Sequence, residues 1–179
     1  MADIEHTQSG AIHESPLQCG DLVLTHGDYF FSKLIRFGQK LRYPAKYAAW
    51  NHAALVLNEQ GDLAEALGDG VVRTHISKYK WKEYTLVHVD VDPHDQTQVL
   101  AFAENVLAAK YRYGWRTIVS LFFNLALNRK YVTVKYATSI CSGFYSDALT
   151  RGRFIWPVPP AAMKPADLAQ IFDAPAWTK

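Results

Sequence analysis

The periodicity of hydrophobic positions divides the chain into segments that predict strands and segments that predict helices. GDLVLT, at residues 20–25, predicts a short buried strand, and from Asn51 the apolar residues alternate with period two. The runs HAALVLN, LAEAL and VVRTHI, separated by turn residues, predict a meander of two or three strands, and TLVHVDV at residues 85–91 predicts another. The first half of the chain therefore favours a small antiparallel sheet.

Helical spacing predominates in most of the remaining segments. Helices are predicted over residues 28–41, 93–110 and 139–152, with a short one after Pro165. The second is the best signalled, because Asp92 can cap it and Pro93 suits its first position. RYPAKYAAW, at residues 42–50, is expected to be a loop, and the polar residues 1–16 a flexible tail. Residues 17–179 are predicted to form one α+β domain.

Composition and charge limit the classes of partner. Hydrophobic residues make up 49% of the 179 residues and charged residues 20%, which is sufficient for a packed core. The 19 Lys and Arg against 17 Asp and Glu give a net charge of +2 and are scattered along the chain, so no nucleic-acid partner is expected. The start of the chain lacks the charged and apolar regions of a secretory signal, so a cytoplasmic location is expected.

The most apolar window of the chain is Thr117–Leu127. It has about 11 residues, whereas a membrane-spanning helix needs roughly 20. We therefore expect this window to form a buried helix rather than a membrane contact.

The two cysteines, Cys19 and Cys141, lie far apart and belong to no CxxC or Cys/His cluster, so neither disulfides nor a structural metal are expected, and no cofactor is implied. Ser139 can cap a helix that begins around Cys141, and the helix dipole would then lower the pKa of this thiol. The small residues Ser142 and Gly143 leave room for a substrate carbonyl, with the backbone N–H of Cys141 available to an oxyanion. The alternative is an inert buried cysteine, which is common. Cys19 lacks such a helix and is expected to be structural.

A base for Cys141 has to come from earlier in the chain, because all seven histidines precede it. His52 opens an apolar strand, so its ring either makes a hydrogen bond within the core or points into a site. Glu65 lies on the returning strand among apolar residues, and a buried carboxylate needs a partner. A bond from Glu65 to His52 would fix the imidazole tautomer. Simple hairpin pairing, however, places Glu65 opposite Leu55 or Val56, so this contact requires twist, a bulge or a long side-chain reach.

The segment Cys141-Ser142-Gly143-Phe144 resembles the nucleophile motif of NlpC/P60-type papain-like cysteine hydrolases. In ordinary members the histidine follows the cysteine. The order His52, Glu65, Cys141 instead resembles the circularly permuted branch, the YiiX/YebB-like group related to the lecithin:retinol acyltransferase type. The other segments that resemble this branch are Gly20–Val23, Asn51–Ala54, Ala64–Ala66, Tyr111–Trp115 and Met163–Leu168.

The resemblance implies a permuted papain-like fold in which a small antiparallel sheet packs against helices. It also implies a cysteine hydrolase of the amidase or peptidase type, acting through an acyl-Cys141 intermediate on a peptide-like or acyl-containing small substrate. His52 would serve as base and then acid, and Glu65 would orient His52. The candidate substrate-binding residues are Tyr113, Trp115 and Ser142, the two aromatic residues being equally compatible with core packing.

Two other functions stay open at this point. The lipid-handling branch of the family and the apolar segment Thr117–Leu127 suggest a lipid-directed acyltransferase or thioesterase of the same fold. The other alternative is a non-catalytic module that holds a peptide or small molecule in the groove.

Overall fold

A computed structural model of the chain describes residues 3–8, 10, 13–26, 39–67, 70–109 and 141–176. The strands in these ranges are β1 (Asp3–Thr7), β2 (Leu22–Thr25), β3 (His52–Val56), β4 (Asp62–Leu67), β5 (Gly70–His75) and β6 (Tyr84–His88). The helices are α1 (Ala45–Ala48), α2 (Pro93–Ala108), α3 (Cys141–Arg151) and α4 (Pro165–Ile171), with 3₁₀ turns at Ile76–Tyr79 and Pro160–Ala162.

The strands form a six-stranded antiparallel sheet in the order β1-β6-β2-β3-β4-β5. Strands β2 to β5 are neighbours in chain order, whereas β6 returns to lie between β1 and β2. Helices α2 and α3 pack together, and α3 also lies against β3 and β4. The α+β class and the antiparallel sheet predicted from the sequence are thus confirmed.

The centre of the sheet is buried on both faces, which explains the nearly continuous apolar runs of β3 and β4. Leu55 packs into the cluster that β3 shares with α2 and α3, whereas Val56 and Leu63 belong to a second cluster on the opposite face. The 3₁₀ turn Ile76–Tyr79 supplies residues of this second cluster. Because side chains alternate along a strand, Glu65 projects from β4 on the same face as Leu63, towards that turn.

A strand that the hydrophobic pattern does not predict lies near the start of the chain. Residues 1–16 were expected to be a flexible tail, but Asp3–Thr7 pair with β6 along their whole length. The attachment uses backbone hydrogen bonds at a sheet edge, so it needs no alternation of apolar side chains. Glu5 also accepts hydrogen bonds from the backbone N–H groups of Glu14 and Ser15, which ties the following segment to the strand.

The segment 42–50, predicted to be a loop, contains the short helix α1. The carbonyl of Pro44 accepts hydrogen bonds from the N–H groups of Tyr47 and Ala48, which closes a single helical turn. One turn is too short to produce a recognisable hydrophobic period, so the pattern could not distinguish it from a loop.

The predicted ends of two longer helices are confirmed. Asp92 caps α2 by accepting a hydrogen bond of 2.9 Å from the N–H of His94. Helix α3 ends at Arg151, directly before Gly152, as predicted. A side chain at position 152 would be crowded against α2, because an added Cβ would lie only 3.1 Å from Cγ2 of Val99.

Some predicted features fall outside the described residues. These are most of the helix over residues 28–41, the apolar window Thr117–Leu127, the candidate residues Tyr113 and Trp115, and the predicted helix cap Ser139. Among the residues that are described, no helix combines the length and the hydrophobicity needed to cross a membrane.

Candidate active site

Three side chains meet where β3, β4 and α3 adjoin. His52 is the first residue of β3, Glu65 lies within β4, and Cys141 is the first residue of α3. His52 Nε2 lies 2.8 Å from Glu65 Oε2, and the His52 ring also forms a hydrogen bond with the Cys141 thiol. Because Glu65 engages Nε2, Nδ1 is the ring nitrogen left for the thiol. The sequence-predicted thiol, imidazole and carboxylate are therefore in consecutive contact.

The contact between His52 and Glu65 depends on where β3 and β4 stop pairing. The hairpin register expected from the sequence, with Glu65 opposite residue 55 or 56, is wrong. The observed pairs are Leu55 with Ala64 and Val56 with Leu63. This ladder ends before it reaches Glu65, although β3 begins at His52 and β4 continues beyond Glu65. The Glu65 carboxylate thus meets the His52 ring at the unpaired end of the two strands.

The sulfur of Cys141 lies at the same unpaired end. It accepts hydrogen bonds from the backbone N–H groups of Ala53 and Ser142. Ala53 follows His52 in β3, so one of these donors belongs to the sheet. The Ser142 N–H belongs to the first turn of α3, where backbone N–H groups have no acceptor within the helix. Two backbone donors and one imidazole therefore surround a sulfur on a residue that is only 6% exposed.

Electrostatics at the site favour the charged forms of both the thiol and the imidazole. Burial by itself raises the pKa of Cys141, but the His52 imidazolium and the two backbone donors outweigh it and bring this pKa below its usual value. Burial likewise lowers the pKa of His52, but the Cys141 thiolate and Glu65 raise it to about 9. A thiolate beside an imidazolium is a nucleophile beside a proton donor.

Glu65 is fully buried, and four side chains donate hydrogen bonds to it. Its Oε2 accepts from His52 and, at 2.7 Å, from the Tyr79 hydroxyl, whereas its Oε1 accepts from Lys78 Nζ at 2.7 Å and from the Thr74 hydroxyl. Burial raises the pKa of Glu65, but the bonds from His52, Lys78 and Thr74 lower it to about 2. The carboxylate is therefore ionised throughout the neutral range, although it has no contact with water.

Three of these donors, Thr74, Lys78 and Tyr79, are not among the residues predicted from the sequence. The available signal was Glu65 itself, since a carboxylate among apolar residues requires donors. The donors come within reach only through the register of β4 and β5, which pairs Leu63 with Thr74. That pairing places Thr74 diagonally from Glu65 on one face of the sheet. Because β5 ends at His75, the 3₁₀ turn that carries Lys78 and Tyr79 follows immediately.

Ser142, a candidate substrate-binding residue, is buried in α3. Its hydroxyl donates a hydrogen bond of 2.7 Å to the carbonyl of Met163. The side chain thus ties α3 to the segment before α4, and the part of Ser142 that faces the sulfur is its backbone N–H.

Cys19 lies in a different environment from Cys141. Its thiol is half-buried and donates to the carbonyl of Gln96 at 3.7 Å. Burial and the nearby carboxylate of Asp21 raise its pKa to about 11. Cys19 is therefore a protonated thiol at neutral pH, in keeping with the structural role expected for it.

No set of three or more His, Cys, Asp and Glu side chains suited to a metal ion occurs in the part of the chain that the structure describes. Comparison of the chain with protein-family models finds no match. A search of curated proteins likewise finds no significant match.

The pKa shifts predict a bell-shaped pH dependence for any reaction that uses both the thiolate and the imidazolium. The lowered pKa of Cys141 starts the acid limb below the pH at which an ordinary thiol ionises. The His52 proton is lost as the pH rises through about 9, which ends the plateau. The measurement is kcat/KM as a function of pH for a peptide amide with a chromogenic leaving amine, because an activated ester expels its leaving group without a proton donor. A single rise at the ordinary thiol pKa, with no alkaline fall, would contradict this assignment.

Proposed function

We propose that the chain is a cysteine hydrolase of the amidase or peptidase type, built on a permuted papain-like fold. The observation that carries the proposal is the consecutive contact of Cys141, His52 and Glu65, with a lowered thiol pKa at one end and a buried, ionised carboxylate at the other. The order of the elements also supports it, because the strands that carry the histidine and the glutamate precede the helix that carries the cysteine.

In the first half of the reaction, the Cys141 thiolate attacks the carbonyl carbon of an amide and forms a C–S bond. The negative charge moves to the carbonyl oxygen, where the backbone N–H of Cys141 is the candidate donor, since the first N–H groups of a helix lack acceptors within it. His52 then gives its Nδ1 proton to the leaving nitrogen, the C–N bond breaks, and an acyl-thioester remains on Cys141.

In the second half, His52 is neutral and takes a proton from water while the water oxygen attacks the thioester carbonyl. The C–S bond breaks, the acid product leaves, and the proton on His52 restores the imidazolium beside the thiolate. Glu65 stays ionised in both halves and holds the ring through Nε2. Its part is to fix the ring orientation and to stabilise the imidazolium, without itself taking a proton.

The proposal is tested by trapping the acyl-enzyme. Incubation with p-nitrophenyl acetate is expected to release nitrophenol in a burst and to add one acetyl group, which peptide mass spectrometry locates on Cys141. An acetyl group found only on Cys19, or no adduct and no burst, would refute the proposal.

The substrate and the acyl acceptor distinguish an amide hydrolase from a lipid-directed acyltransferase or thioesterase, because all of these would form the same acyl-Cys141 intermediate. Peptide amides and phospholipid or acyl-thioester substrates are compared, each with and without an added amine acceptor. Turnover of amides with water as acceptor is expected. Turnover of lipid substrates alone, with transfer to the amine, would assign the acyltransferase function instead.

A further inference from the structure

The carboxylate of Glu65 connects the catalytic pair to a lysine that the proposed reaction does not use. Lys78 Nζ lies 2.7 Å from Glu65 Oε1, while His52 is bonded to the other oxygen, Oε2. Lys78 sits in the 3₁₀ turn that covers this face of the sheet, and its side chain is 37% exposed, whereas that of Glu65 is 0% exposed. The lysine thus lies at the outer end of a row of four polar side chains in contact, Lys78, Glu65, His52 and Cys141.

The charges along this row of four side chains alternate. Lys78 is positive, Glu65 negative, the His52 imidazolium positive and the Cys141 thiolate negative, so that the four groups together are neutral. The titratable groups that face Glu65 from its neighbouring elements are His52 from β3 and Lys78 and Tyr79 from the 3₁₀ turn, while Thr74 of β5 adds a neutral donor. Alternation of this kind allows charged side chains to stay ionised where water is excluded.

A structural role alone would not require a cation at this position. Oε1 of Glu65 already accepts the Thr74 hydroxyl, and Oε2 already accepts the Tyr79 hydroxyl and His52. What Lys78 adds is a second positive charge beside the Glu65 carboxylate, after that of the His52 imidazolium. That charge offsets part of the field that Glu65 exerts on His52, which must both hold and release a proton.

We propose that Lys78 is a positioning residue that acts on the Cys141–His52 pair through Glu65 and sets the pH range in which the pair is active. The inference rests on the proposed function, because it assigns a role relative to that pair. Loss of the positive charge leaves more of the Glu65 charge facing His52. Proton loss then becomes harder for both His52 and Cys141, so both limbs of the pH profile move to higher pH.

The test compares Lys78→Met with the wild type and with Lys80→Met. Lys80 is an exposed lysine just after the same turn, and its ammonium group lies over the ring of Trp81 at 5.3 Å. The rate of alkylation by iodoacetamide as a function of pH reports the thiolate without any substrate. We expect the midpoint of its acid limb to rise by about half a pH unit or more in K78M, which is roughly a threefold lower rate on that limb. We expect no shift in K80M.

Two further variants separate charge from hydrogen bonding and from loss of fold. Lys78→Arg keeps the charge and is expected to restore the wild-type midpoint. Lys78→Gln keeps a donor for Oε1 without the charge, so it is expected to shift the midpoint as Met does, and it serves where K78M fails to fold by circular dichroism. Midpoints in K78M and K78Q that equal those of the wild type and K80M would overturn the inference. A wild-type protein without a low-pKa thiol would instead refute the proposed function.

Discussion

Cys141→Ala is expected to abolish both alkylation at neutral pH and turnover of any substrate. The sulfur is the only atom of the site that the proposed reaction uses to form a covalent bond, and alanine leaves the His52–Glu65 contact in place. We expect kcat/KM to fall by on the order of 10⁴ or more, as it does when a nucleophile is removed from a triad. Alkylated peptides are identified by mass spectrometry, and turnover is followed with the activated ester.

The matched control for this prediction is Cys19→Ala. The Cys19 thiol donates a hydrogen bond to the carbonyl of Gln96 and has a pKa of about 11, so it contributes almost no thiolate at neutral pH. Its removal is expected to leave the labelling rate and kcat/KM unchanged. Cys141→Ala protein that is still labelled at the wild-type rate, with the label on Cys19, would show that the nucleophile has been assigned to the wrong cysteine.

Much of the sheet could be predicted because burial imposes simple patterns on strands and helices. The β3 and β4 segments have apolar residues at nearly every position, since both of their faces are covered. The start of α2 follows from Asp92 and Pro93, whose chemistry is local. By contrast, β1 is held by backbone bonds at an edge, and α1 is a single turn, so neither leaves a hydrophobic period in the sequence.

The site could be predicted in its components but not in its geometry. His52, Glu65 and Cys141 stand out because each is a reactive or polar residue at the end or in the middle of an apolar element. Whether they touch depends on a register shift in a hairpin and on the point at which two strands stop pairing. Both are set by packing across the whole sheet. Lys78 and Tyr79 were missed for the same reason, since the turn that carries them meets Glu65 only in the folded chain.

Ionisation of the Cys141 thiol is the property of the site that is most sensitive to His52. An ordinary thiol with a pKa of about 8.5 to 9 is only about 1 to 3% ionised at pH 7. A buried thiol without a positive neighbour is ionised even less, because burial raises its pKa. Thiolate at neutral pH therefore depends on the imidazolium of His52.

Replacing His52 by Gln is accordingly expected to lower the alkylation rate of Cys141 at pH 7 by about 100-fold or more. Glutamine keeps a donor for Glu65 but cannot carry the proton, so the rate should recover only as the pH rises past the pKa of an ordinary thiol. Turnover should fall further, because the leaving nitrogen then has no acid. His94→Gln, an exposed histidine at the start of α2, is the matched control and should behave as wild type. Alkylation of H52Q at the wild-type rate would mean that the helix N-terminus and the backbone donors alone ionise the thiol.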